Sequence, residues 1–254
     1  MVRGDLVGAE ASLAKATTRA DALGFPHGPY MHGYARLMES WIRVEAGQLD
    51  RAAILAADMV DEAERHGFGM WRLAGATQRT SVSALAGFRA DHGASGLAAD
   101  IATLTALLDT WRSAAVHAYL TYFDAVLARM LIAAGQPEQA RARLDQALEL
   151  AADTGMRFYD AELLRLRAQT RTGTEARHAD ISTALELARR QGATLFALRA
   201  ALDDFELRGQ PARAAVAAAL SRMPDESALP EVARARRALV ARADRRRSTS
   251  RTTK

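Results

Sequence analysis

The chain of 254 residues contains no cysteine. That removes disulfides and thiolate metal sites and fits the reducing conditions of a cytoplasm, the expected location. Only two lysines are present, Lys15 and Lys254. A phosphate-binding P-loop needs a lysine in a glycine-rich turn, and neither Lys15 in SLAKATT nor the terminal Lys254 has that setting. The chain is therefore no P-loop ATPase by itself. No sustained apolar run follows the first positive charge, so no secretory signal is visible. The best membrane candidate, residues 114–134, is interrupted by His117, Asp124 and Arg129 and reads as a buried helix of a globular protein. There is no HExxH, and His27, His32, His66, His92, His117 and His178 show no ligand spacing on one helical face. Ser95 in Gly-Ala-Ser-Gly lacks the G-x-S-x-G spacing of a nucleophile elbow and reads as a turn residue. The carboxylate groups Asp58, Asp61 and Glu62, then Asp160 and Glu162, then Asp203 and Asp204 read as solvated helix faces. No catalytic residue, cofactor or metal is expected.

Proline is scarce, six residues in all, and falls at turns. What is abundant is alanine in helical phase. Gly135-Gln-Pro breaks one helix and opens the next. Ala140, Leu144 and Ala147 then share a face, and Thr154-Gly155 ends the run before a second amphipathic run begins at Phe158. The same Gly-x4-Ala-x3-Leu-x2-Ala spacing recurs at Gly4, Ala9, Leu13 and Ala16. Turn glycines at 4, 47, 93, 135, 173 and 209 are separated by 43, 46, 42, 38 and 36 residues. A period in this range is the signature of stacked helical hairpins. The expected fold is all-α, a tetratricopeptide-like helical-hairpin solenoid with a right-handed superhelix. The array spans residues 1–222 and starts in mid-repeat, which suggests a piece of a longer protein. A linker and capping helix follow at 223–243, then a basic disordered tail at 244–254. Helices are expected, among others, over 30–45, 51–66, 114–133, 138–153, 158–171 and 231–243.

The formal charge of +4 is unevenly spread. Residues 231–254 hold nine Arg or Lys against Glu231 and Asp244, a surplus of seven that leaves the remainder about three units negative. The tail offers non-specific phosphate contact as an alternative route to function, through nucleic acid, but a solvated end is the preferred reading. Aromatics carry more information. Tyr30, Tyr34, Trp41, Trp71, Tyr119, Tyr122, Phe123, Phe158 and Tyr159 fall on the first helices of hairpins, interleaved with Arg36, Arg72, Gln78, Arg79, Arg157 and Arg165. Core packing accounts for most of them. The candidate partner groove is Arg36, Trp71, Arg72, Gln78, Arg79, Tyr119, Tyr122, Arg157, Tyr159 and Arg165, taken to line the concave side and to hold a protein or peptide segment.

The stretch TGMRFYDAELLRLRAQ (Thr154 to Gln169), preceded by AGQPEQARARLDQALELA and followed by ALELARRQGATLFALRAA (Ala184 to Ala201), resembles the C-terminal tetratricopeptide-like, MalT-like region of bacterial multidomain signal-transduction ATPase regulators. These are linked to adenylate or guanylate cyclases or are LuxR-type transcriptional regulators. The family pattern reads T-G-E-R-F-Y-E-A-E-L-Y-R-L-K-G, from which Met156, Asp160 and Leu164 depart. The resemblance implies a non-enzymatic sensing or scaffold arm whose partner is an ATPase, cyclase or regulator module. The ATPase, the cyclase carboxylates and a LuxR-type DNA-reading helix have no counterpart in these residues.

Overall fold

The computed structural model describes residues 2–90 and 94–240. Every regular element among them is helical. In order these are α1 (Leu6–Asp21), α2 (His27–Glu45), α3 (Leu49–His66), α4 (Gly69–Ala90), α5 (Ala94–Ser113), α6 (Leu120–Ala133) and α7 (Pro137–Thr154). Then come α8 (Asp160–Gln169), α9 (Thr174–Gln191), α10 (Thr194–Arg208), α11 (Arg213–Leu220) and α12 (Pro230–Val240), with single 3-10 turns at Arg157–Tyr159 and Gln210–Ala212. The turn expected at His92–Gly93, the side chain of Ser95, the last residues of the helix expected to reach Ala243, and the basic tail 244–254 lie outside the described residues.

Local chemistry explains the boundaries. Asp5 opens α1 by accepting the Gly8 amide at 2.7 Å, which satisfies one of the free donors of the first turn. Pro137 sits at the start of α7, where its missing N–H costs nothing, and Gly155 at φ 74° stops that helix in the left-handed conformation. Between them Ala140, Leu144, Ala147 and Ala151 form one buried stripe. The helix expected over 114–133 is different. It begins only at Leu120, because α5 runs on to Ser113 and closes with Ala115 at φ 53° and a Val116 amide bonded to the Trp111 carbonyl. This is the geometry that glycine usually supplies at a helix end; here an alanine adopts it.

Each helix packs against the next. The even-numbered helices also pack against one another in series, from α2 through α4, α6, α8 and α10 to α12. Close approach between α2 and α4 requires Gly33, since a Cβ there would stand 2.6 Å from the Trp71 indole. The inner helices are encased: in α6 and α8 almost every residue is buried, including Phe123, Leu127, Met130 and Leu163. Burying residues of this size stabilises by roughly 1.5–3 kcal/mol each. α1 is the opposite case, with Ala20 its one buried residue.

The amino-terminal end of the described chain also meets the start of α10 and the turn after α11. The Leu195 amide at the start of α10 donates to the Val2 carbonyl at 3.0 Å. The Thr194 hydroxyl donates to the Arg3 carbonyl, 191 positions away in sequence, and Gly4 lies against Met223. Further in, Glu45 at the end of α2 pairs with Arg199 of α10 at 2.6 Å.

Candidate functional site

One face of α2 organises the most distinctive surface. Tyr30, Tyr34, Trp41 and Glu45 are spaced i, i+4, i+11 and i+15, so they share a stripe. Rings continue from that stripe in both directions. At the amino-terminal end Phe25 stacks on Phe68 (centroids 6.5 Å apart), Phe68 meets Tyr30 edge-on (5.4 Å), and Tyr30 meets Trp71 (5.2 Å). Tyr34 touches Trp71 (6.4 Å) and Tyr119 (6.3 Å), and the Tyr119 hydroxyl donates to that of Tyr34 at 3.1 Å. Deeper, Trp41 contacts Tyr119, Tyr122, Phe158 and Tyr159 at 5.0–6.5 Å, and Tyr159 meets Phe196 at 5.1 Å. Exposure falls along the series. Phe25 is 71% exposed, Tyr30 42% and Tyr34 40%, whereas Tyr122, Tyr159 and Phe196 are buried. The half-open end, with Met31 beside it on α2, is an exposed apolar patch, the mouth of the stripe.

The buried end of the stripe is ionic. Glu45 accepts from the Trp41 indole (3.1 Å) and the Tyr159 hydroxyl (3.0 Å) and pairs with Arg199. Arg199 also donates to Glu231 (2.8 Å) and lies 3.5 Å from Glu162. Arg165 grips Glu162 through two bonds of 2.7 and 2.8 Å and reaches Asp203 at 2.6 Å. Burial by itself would raise the Glu162 carboxyl; Arg165 and Arg199 overcome it and hold the group at about 2. Burial likewise opposes the charge of Arg199, and Glu45, Glu162 and Glu231 outweigh it, keeping the guanidinium well above its usual value. The Tyr159 phenol is pushed up, first by burial and then by Glu45 and Glu162. Two polar atoms in this knot, Arg199 Nη1 and Glu231 Oε2, have no hydrogen-bond partner.

The ten groove residues named from the sequence divide. Tyr119, Tyr122 and Tyr159 gather around Trp41, and Trp71 joins them through Tyr34. Arg165 belongs to the ionic knot. Gln78 is buried and donates to the Ser40 hydroxyl at 3.0 Å, bracing α4 on α2. Arg36 pairs with Glu62 on α3. Arg72 and Arg79 each follow Trp71 and Gln78 by one residue, and so stand on the adjoining, exposed side of α4. Arg72 lines a cleft of about 230 Å3 beside Phe68. Arg157 is exposed at the turn before α8. Among the ten, Trp71, Gln78, Tyr122, Tyr159 and Arg165 are thus buried against the chain's own side chains. Phe25, Met31, Glu45, Arg199 and Glu231 were missed. Glu45 had a signal, a carboxylate in phase with Tyr30, Tyr34 and Trp41; Arg199 had a weaker one, a cation inside the apolar run from Leu195 to Leu202.

Among the carboxylates singled out from the sequence, Glu62 pairs with Arg36, Glu162 and Asp203 with Arg165, and Asp204 with Arg208. Asp58 and Asp61 do stand on a solvated face, whereas Asp160, Glu162 and Asp204 are buried by the packing of α8 and α10. His178 lies 3.1 Å from Asp204, and Ser182 lies 3.5 Å from its Nδ1 and 3.4 Å from its Nε2. Near-equal distances to both nitrogens place that hydroxyl beside the ring rather than on one lone pair, so the three do not form a proton-relay line. Another buried carboxylate, Asp124, takes two bonds of 2.6 and 2.8 Å from Arg112 and faces Arg143 at 3.6 Å. Burial pushes its carboxyl up against both arginines. Among the described residues no group of three or more His, Asp or Glu gathers as a metal site, and no helix is long and apolar enough to cross a membrane. No family model, curated protein or solved structure matches this chain.

Proposed function

We propose that the chain is a non-enzymatic interaction module, a tetratricopeptide-like helical array that serves as a sensing or scaffold arm. Its partner is a segment of another protein, of the kind carried by ATPase, cyclase or transcriptional-regulator modules, and the mouth around Phe25, Tyr30 and Tyr34 receives it. The serial packing of even-numbered helices supports the array reading. The observation that carries the binding reading is where apolar surface remains. Of the eight large hydrophobic residues exposed among the described residues, six fall between Val7 and Tyr34. Aromatic side chains held by neighbouring rings present contact area at low ordering cost. The site differs from the groove expected from the sequence, because the expected groove residues Tyr122 and Tyr159 are packed against Trp41, and Glu45 and Arg199 pair beside them.

The test is photo-crosslinking in the source cells, with a benzophenone amino acid placed at Tyr30 or Tyr34 and, as a reference, at exposed Ile54 on α3. One discrete adduct from the Tyr positions and none from Ile54 is expected. Equal labelling from all three would sink the assignment.

A further inference from the structure

We infer that α2 is a lever and that Glu45, at its far end, is the catch of a clasp that closes the array on itself. The inference rests on the interaction-module reading only for what the opening serves. The closure joins parts of the chain that sequence does not connect: Val2 and Arg3 with the first turn of α10, and Glu45 with Arg199. Interfaces between consecutive helices bury continuous apolar stripes, as along Ala140, Leu144 and Ala147, with ion pairs such as Arg112–Asp124 beside them. α2 and α10 meet instead through the ionic knot of Glu45, Arg199, Glu162 and Glu231, with Tyr159 between them bonded to Glu45 and packed on Phe196. Desolvation offsets most of the attraction in such a knot, so closure is specific in geometry and modest in net strength. That is the property of a contact that opens as a unit while the helices on either side stay folded.

Mouth and clasp belong to one rigid body. Tyr30 and Tyr34 at the mouth and Trp41 and Glu45 at the seam lie on one stripe of a single helix. A partner that wedges Tyr34 away from Trp71 and Tyr119 tilts α2, and the tilt withdraws Glu45 from Tyr159 and Arg199. Opening leaves Glu162 and Glu231 to share Arg199 and uncovers the rings of Tyr122, Phe158 and Tyr159, which Trp41 covers in the closed form. The device is a two-state element biased from one site and read at another.

The lack of cysteine makes the test direct. Spin labels on Asp50→Cys and Glu226→Cys, both exposed, report the distance between the α2–α3 hairpin and the α11–α12 segment in the full chain without any partner. One narrow distance is expected for the otherwise unchanged protein. Arg199→Gln should raise a longer-distance population by about tenfold, the equivalent of losing a charge-assisted hydrogen bond. Tyr34→Ala, which touches nothing at the seam, should raise the same population. If Tyr34→Ala leaves the distribution unchanged the lever is overturned, and if Arg199→Gln does so the clasp is overturned. Should Arg199→Gln fail to fold, the labelled parent is titrated with urea. The distance must then lengthen before helix content falls, and simultaneous change overturns the clasp. Because no partner is added, these outcomes are independent of the crosslinking result at the mouth.

Discussion

The two ends of α2 sit in opposite environments. At the amino-terminal end Phe25, Tyr30, Met31 and Tyr34 keep 40% or more of their surface in water, and the neighbouring α1 buries a single residue. At the carboxyl-terminal end Trp41 and Glu45 run into α6, α8 and α10, where charges as well as rings are buried. The same stripe thus supplies a surface at one end and a structural joint at the other. The difference teaches that aromatic spacing along a helix marks a face and leaves open whether water or protein will cover it.

The contrast is most sharply tested by pairing substitutions. Arg199→Met leaves Glu45, Glu162 and Glu231 without their common cation and should lower stability by about 3–5 kcal/mol in a denaturant titration. Phe123→Ala, in the encased centre, should cost about 3–5 kcal/mol by the same measurement, through lost burial and a cavity. Acid should act on the joint, and also at Asp204, where burial would raise the carboxyl but Arg208 and His178 hold it below its usual value. The Glu162 carboxyl is depressed from 4.5 to about 2, so its contribution is complete above pH 4.5 and disappears as pH falls through 2. The shift corresponds to about 3 kcal/mol, visible as a loss of melting temperature over that interval that Glu162→Gln reduces. Gly33→Ala, at the level where mouth gives way to interior, must displace the Trp71 indole and should cost about 1–3 kcal/mol. Phe25→Ala should change stability by less than about 0.5 kcal/mol while abolishing the crosslink from Tyr34. A large stability loss at Phe25 would erase the contrast between the two ends.

Much of the helical framework was legible because its punctuation is local. Gly135 and Pro137 mark the start of α7 and Gly155 its end, and alanine and leucine at helical spacing mark the buried face. The expectation failed at residues 114–119, where Ala115 takes a left-handed conformation and no glycine or proline announces the break. The site was half legible. Tyr119, Tyr122 and Tyr159 were picked out because aromatics on first helices of hairpins are conspicuous, and they do converge. Arg72, Arg79 and Arg157 were conspicuous for the same reason and stand elsewhere, since a one-residue step turns a side chain by about 100°. Nothing local distinguishes Glu231 from a solvated carboxylate, and the phase of Glu45 with Tyr30, Tyr34 and Trp41 marks its face without saying what covers it. Their burial depends on where α10 lies, more than 150 positions from Glu45.

The sequence by itself determined that the regular elements of the described residues are all helical, the places where most helices start and stop, and which face of each is apolar, because these follow from residue propensity, capping and a period of 3.6. Only the tertiary structure decided that α10 returns to the beginning of the chain, that Trp41 of α2 covers Tyr122, Phe158 and Tyr159, and that Glu45, Glu162 and Glu231 share Arg199. Those outcomes depend on the angles between successive helices, which accumulate along the chain. No single residue encodes such a sum, although one closing contact reveals it.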